Sequence, residues 1–156
     1  MKLNLTCVAL ALDLLLLGQV ARAAESVNVE ADQMEIFDAE HKTIFRGNVV
    51  AVRPNDQITS DEMVVTNEDQ KQTDGTIKSV TSLLDAKGHV RIKTKTQTIT
   101  GSAARFFVQK NTLEVTGNVV VVQGQSSIKG EKLLVNLKTN HLQMLGGRVQ
   151  GSFVPK

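Results

Sequence analysis

Four glycines divide this chain into units. Gly88, Gly117 and Gly146 stand 29 residues apart, and Gly47 precedes Gly88 by 41, one period plus an insertion of 12. Other positions recur in step with them. Two residues after the glycine come Val49, Val90 and Val119, and eleven after it Ile58, Ile99 and Ile128. Thirteen after it come Ser60, Gly101 and Gly130, and eighteen after it Val65, Phe106 and Val135. A partial unit with Val29, Ala31, Met34 and Ile36 leads the series. Self-similarity at a fixed period predicts a stack of supersecondary units, none of which can bury its apolar face alone.

The units read as strands. Val, Thr, Ile and Gly dominate, Pro occurs only at 54 and 155, and apolar and polar residues alternate after residue 24. Val119 to Val122 and Gln125 to Lys129 are short strands, and Leu133 to Met144 a hairpin broken at Thr139-Asn140. Ser26 to Glu30 opens the series and Arg148 to Val154 ends it. Gly47-Asn48, Gly88-His89 and Gly117-Asn118 supply the positive φ angles of tight hairpins. Within each unit the inward set changes parity near Ser60-Asp61, Gly101 and Gly130, which predicts a bulge or bend there. Thr66 to Thr76 is polar, contains Asp74-Gly75, and reads as an inserted loop.

One strand face collects the apolar side chains: Met34, Ile36, Phe45, Val49, Ile58, Met63, Val65, Leu84, Val90, Ile92, Ile99, Phe106, Val108, Leu113, Val115, Val119, Val121, Ile128, Leu133, Val135, Leu137, Leu142 and Met144. The other carries Arg91, Lys93, Lys95, Arg105, Lys129 and Lys132. A sheet with one dry and one wet side follows. It can close as a jelly roll or stack as a β-solenoid, and the medium-sized side chains on its dry face are either a packed core or a surface open enough for an acyl chain.

The first 23 residues read as an export signal. Lys2 opens it, Val8 to Leu17 is its apolar segment despite Asp13, and Ala21-Arg22-Ala23 fits a cleavage site. Removal leaves residues 24–156 as one domain. The full chain carries a net charge of +2, and loss of Lys2, Arg22 and Asp13 brings this near +1. That balance argues against nucleic acid as a partner. The single cysteine, Cys7, lies in the signal, so the exported chain would have no disulfide and no Cys ligand or nucleophile.

No constellation for catalysis or metal binding emerges. His41 and His141 fall in turns, His89 in a Gly-x-Val segment, and no two share metal-ligand spacing. Asp61-Glu62 stands where sister units hold Asp32-Gln33, Ser102-Ala103 and Glu131-Lys132, so a polar residue satisfying a bend explains it better than acid–base chemistry. Ser126-Ser127 lacks the glycines of a nucleophile elbow. Lys93, Lys95 and Lys110 are either a basic patch for a phosphate or headgroup, or solubilising lysines.

The ordered repeat, with Ser127-Ile128-Lys129-Gly130-Glu131-Lys132-Leu133 and Leu113-Glu114-Val115-Thr116-Gly117-Asn118-Val119, resembles the OstA-like family of lipopolysaccharide-transport proteins from about Val27 to Phe153. The resemblance implies an all-β, open, slightly twisted β-jelly roll of repeated short antiparallel strands in the periplasm. It implies that the apolar face named above, Leu84 apart, is a groove for the lipid A acyl chains of lipopolysaccharide, with no cofactor and no catalysis. It also implies head-to-tail copies joined through edges carrying Val27, Val29, Val149 and Phe153, docked on inner-membrane LptC and on the N-terminal domain of outer-membrane LptD. An LptC-like membrane-anchored adaptor and a ligand-free structural β-solenoid are the alternatives.

Overall fold

Alternating residues form ten strands in the computed structural model, which describes residues 27–155. The segment read as an export signal, with Cys7, lies outside the described residues. The strands are β1 (Asn28–Glu30), β2 (Gln33–Phe37), β3 (Lys42–Val52), β4 (Gln57–Lys71), β5 (Ile77–Lys93), β6 (Thr98–Phe107), β7 (Thr112–Gln123), β8 (Ser126–Asn136), β9 (His141–Leu145) and β10 (Gln150–Ser152). They make one antiparallel sheet in which each long strand pairs with its sequence neighbours. At one edge β1 and β2 share β3, and at the other β9 and β10 share β8. The edges are broken strands and the interior strands run through.

Every row is bent at its middle, which produces the twisted jelly roll. Register shifts fall between Arg46/Val49, Thr59/Glu62, Lys87/Val90, Thr100/Ala103 and Thr116/Val119. Gly47-Asn48, Gly88-His89 and Gly117-Asn118 have the positive φ values expected of them, but they lie inside β3, β5 and β7. The chain bends at these pairs and does not turn back, because the flanking residues stay paired with the same neighbour on both sides of the shift. Asn and His tolerate the left-handed region better than other non-glycine residues, which suits them to the second position. The parity change of the even strands sits where expected: Ile58 and Ser60 point inward before the bend, Met63 and Val65 after it.

Each of these three bend glycines lies under a polar side chain, Asp32 between β1 and β2, Asp61 in β4 or Ser102 in β6. A Cβ on Gly47 would meet Asp32, one on Gly88 would overlap Asp61, and one on Gly117 would stand 2.5 Å from Ser102 Oγ. Those polar residues then tie the bend together. Asn48 donates to Asp32 (2.8 Å), His89 Nδ1 contacts Asp61 (2.7 Å), and Ser102 Oγ donates to the Gly117 carbonyl (3.3 Å).

The bend divides the sheet into two halves, each crossed by inward apolar rows. One row of the first half is Val29, Ala51, Ile58, Ile92, Ile99, Val121, Ile128. The second half carries Met34, Phe45, Met63, Ala86, Ala104, Val115, Leu133, Met144, and beside it Ile36, Thr43, Val65, Leu84, Phe106, Leu113, Val135, Leu142. Buried side chains from both halves form one core. Near the bend this core is filled: Met63, Leu133, Val49, Val90, Val115 and Val119 are fully buried. On the outer face Arg46 joins Glu35 (2.9 Å) and Glu62 (3.0 Å), an exposed network of modest worth that ties β2 to β4.

The polar segment Thr66 to Thr76 is not a loop. β4 runs on to Lys71 and β5 starts at Ile77, so the insertion is a two-stranded arm closed by Gln72–Thr76. Backbone pairing along an arm needs no buried face, which is why apolar periodicity missed it.

Candidate functional site

Away from the bend the two halves separate and leave a trough. Two adjoining cavities make it up. The first, about 630 Å³, is floored by Ile58, Ile92 and Ile99 from one half and Phe106, Leu113, Val135, Leu137 and Leu142 from the other. The second, about 680 Å³, continues it over Val121 and Ile128 to Phe153, Val154 and Pro155. Gln97 and Leu142 line both. Each volume falls within the ordinary range for ligand pockets. Neither contains a charged group on its floor.

The rim is polar and comes from hairpin loops. Arg53, Asn55 and Asp56 belong to the β3–β4 loop, and Thr94, Lys95, Thr96 and Gln97 to the β5–β6 loop. Asn111 and Asn140 face them from the opposite half. Arg53 N donates to the Asp56 carbonyl (2.8 Å) and Asp56 N to the Arg53 carbonyl (3.3 Å), closing a rigid loop. Arg53 Nη2 reaches Asp56 Oδ2 (2.7 Å), and its guanidinium lies 5.0 Å from the Phe106 ring centroid. This contact bridges the mouth from one half to the other.

The apolar residues singled out from sequence fall into three groups. Ile58, Ile92, Ile99, Phe106, Leu113, Val121, Ile128, Val135, Leu137 and Leu142 line the trough. Val49, Met63, Val90, Val115, Val119 and Leu133 are sealed inside the core, and Phe45, Val65, Val108 and Met144 pack against it. These ten do not border either cavity; the six sealed residues flank the bend, where the halves meet. Met34 and Ile36 sit on the inward face of the outermost strand with 58% and 60% of their surface exposed, since no strand lies beyond them. Of the edge residues, Val27 and Val149 are exposed and Val29 packs on the core. Phe153 is exposed, lies over Gly151, and lines the second cavity.

Lys95 does not stand on the outer face with Lys93; it belongs to the rim. Lys110 lies in the β6–β7 turn over the Phe107 ring (5.7 Å), so the three lysines form no single patch. Sequence reasoning also missed the rim loops. The signal was present: Asn111 and Asn140 are one period apart, and both have positive φ in equivalent turns. Among the described residues no group of His, Cys, Asp or Glu is arranged to hold a metal ion.

The profile of the LptA/(LptD N-terminal domain) LPS transport protein family matches residues 28–141. The chain belongs to this family. An LPS transport family of this kind is a transport component and not an enzyme family. A relative from Rhizobium meliloti (strain 1021), an uncharacterized protein, is 28% identical over 138 residues, covering 85% of this chain and 73% of its own. The solved structure of LptH from Pseudomonas aeruginosa, the LptA homologous periplasmic component of a lipopolysaccharide transport device, superposes with a TM-score of 0.72 at 16% identity. It covers 84% of this chain and 96% of LptH. For this LptA/LptD-type chain the likeness to LptH establishes the fold, and the family match establishes the transport class.

Proposed function

We propose that this chain is a periplasmic carrier that holds the acyl chains of lipopolysaccharide in the trough between its two half-sheets. The observation that carries the reading is the trough itself, an unfilled apolar floor under a polar rim, in a chain of a lipopolysaccharide-transport family. Each methylene moved from water onto such a floor contributes about 0.8 kcal/mol. Several acyl chains together therefore supply a retention that a few methylenes would not, and no covalent step is needed.

The same reading includes an assembly. β1 with β2, and β9 with β10, leave one side without a strand partner. Inward rows end there on Met34 and Ile36 at one edge and on Leu142 at the other. Strand addition of one copy's last strands to the next copy's first would continue both hydrogen bonds and apolar rows. Such a contact joins unlike edges and does not close on itself. Copies joined head to tail would make a bridge, with LptC at the inner membrane and the N-terminal domain of LptD at the outer membrane as end partners. Export by the cleaved segment 1–23 completes the proposal.

A photo-crosslinking amino acid at Phe106, with Arg91 on the outer face as control, tests the carrier role in cells that make lipopolysaccharide. An adduct at 106 and none at 91 is expected. Absence of an adduct at 106 in a folded, exported protein would sink the reading in favour of a ligand-free module.

A further inference from the structure

The mouth of the trough carries charge in an unsymmetrical way. One side presents Arg53 and Lys95, with Asp56 as the single carboxylate. The other presents the neutral amides of Asn111 and Asn140. Arg53 is the half-buried member, its side chain 23% exposed. Two backbone hydrogen bonds fix its loop, so the guanidinium is aimed over the floor before any ligand arrives.

Its bonding is incomplete. A guanidinium has five N–H donors. Asp56 takes one of them at 2.7 Å, and among the described residues no other acceptor bonds the side chain. The guanidinium also lies over the face of Phe106, which is 5% exposed and forms part of the trough floor. A cation over an aromatic ring gains some attraction, but the ring gives no lone pair to the unused donors. Lys95, on the next loop of the same rim, is exposed and makes no ion pair among the described residues.

We propose that Arg53, assisted by Lys95, is an anion-recognition site at the mouth of the trough, for the phosphate or carboxylate headgroup of an amphiphile whose apolar chain lies on Phe106 below. This rests on the acyl-carrier reading and adds to it a residue that selects among amphiphiles. The Arg53–Phe106 contact closes the mouth when no chain is bound. A chain sliding over Phe106 displaces the guanidinium upward, away from the ring and toward the headgroup. The planar fork can then offer two parallel N–H groups to a phosphate or carboxylate, the bidentate geometry that Arg favours. Asp56 keeps the loop anchored through its backbone and leaves the rim with a surplus positive charge.

The test uses the full chain and two amphiphiles with the same alkyl chain, dodecyl phosphate and dodecyl maltoside, below their micellar concentrations. Binding is followed by displacement of an environment-sensitive fluorescent probe with an alkyl chain and an uncharged headgroup, aided by the absence of Trp and Tyr from the chain. Arg53→Met is expected to weaken dodecyl phosphate by about tenfold, the worth of one charge-assisted hydrogen bond. Dodecyl maltoside should change by less than about twofold. Lys95→Met, on an exposed loop, should act in the same direction and more weakly, and Arg53→Lys should fall between wild type and Arg53→Met. Inorganic phosphate alone should not compete at concentrations where dodecyl phosphate saturates. Equal loss of both amphiphiles in Arg53→Met would make Arg53 a packing residue and overturn the proposal. So would competition by inorganic phosphate as strong as by the lipid, since the site would then owe nothing to the trough. If neither amphiphile binds the unaltered protein, the carrier reading itself fails.

Discussion

Replacing Gly117 by Ala isolates what the bend demands of its sequence. Gly117 has φ +83°, a conformation that costs an L-residue about 1–2 kcal/mol. A Cβ there would stand 2.5 Å from Ser102 Oγ and 2.6 Å from Ser102 Cβ, closer than real side chains approach. Overpacking of this kind costs about 1–3 kcal/mol. Together Gly117→Ala should lose about 2–5 kcal/mol, read from urea unfolding. Gly75 is the internal reference. Its φ is +86°, and a Cβ there meets nothing within 4 Å, so Gly75→Ala should lose only the backbone part, about 1–2 kcal/mol. Adding Ser102→Gly to Gly117→Ala should recover stability, with a coupling of at least about 1 kcal/mol in the double-mutant cycle. Equal losses at Gly117 and Gly75, with no coupling to Ser102, would refute the packing argument.

Met34→Glu together with Ile36→Glu should abolish edge-to-edge association in sedimentation velocity while moving the monomer's unfolding free energy by less than about 0.5 kcal/mol per site, because both side chains are already exposed; unchanged association would remove the first edge from the proposed joint. Asp74 at the tip of the arm accepts from Thr76 Oγ1 (2.6 Å) and Thr76 N (2.9 Å), which holds its carboxyl below the usual carboxylate range. A depressed folded pKa makes the tip's stabilisation complete above the unfolded pKa and lost as pH falls through the folded one. The protection of the Thr76 amide, its exchange rate taken relative to the intrinsic rate at each pH, should therefore fall on acidification, and Asp74→Asn should remove that dependence.

The 29-residue period made the architecture legible, because each strand pair must present the same inward positions to its neighbours. The parity change at Ser60, Gly101 and Gly130 likewise gave the bends of the even strands. What the sequence hid was the role of Gly47-Asn48, Gly88-His89 and Gly117-Asn118. A two-residue segment with positive φ serves a hairpin or a mid-strand bend equally well, and only pairing beyond it decides. The trough was half legible for a related reason. Alternation marks an inward side chain, but cannot tell Val115, pressed between the halves, from Val135, which borders open space. That distinction depends on distance from the bend. The start of the insertion was located and its returning half, Ile77 to Thr81, was missed as part of it, so the whole was misread as a loop. Ser82 stands where His41, Asn111 and Asn140 make their turns, six residues before the unit glycine. Its carbonyl accepts from Val108 N (3.0 Å) just as those of His41 and Asn111 accept from Asn67 N and Leu137 N (2.9 Å each). The arm replaces one turn and leaves the unit around it intact.

Because each bend is completed by the strand beside it, every period is a self-contained division of a ruler. One more copy of residues 89–117 would add two strands, and strands lie about 4.7–4.9 Å apart, so the trough would lengthen by roughly 9–10 Å with both of its ends unchanged. In the proposed bridge the span would thus be a matter of counting, set by how many divisions the gene encodes and how many chains are laid in line, and not by redesign of any one of them.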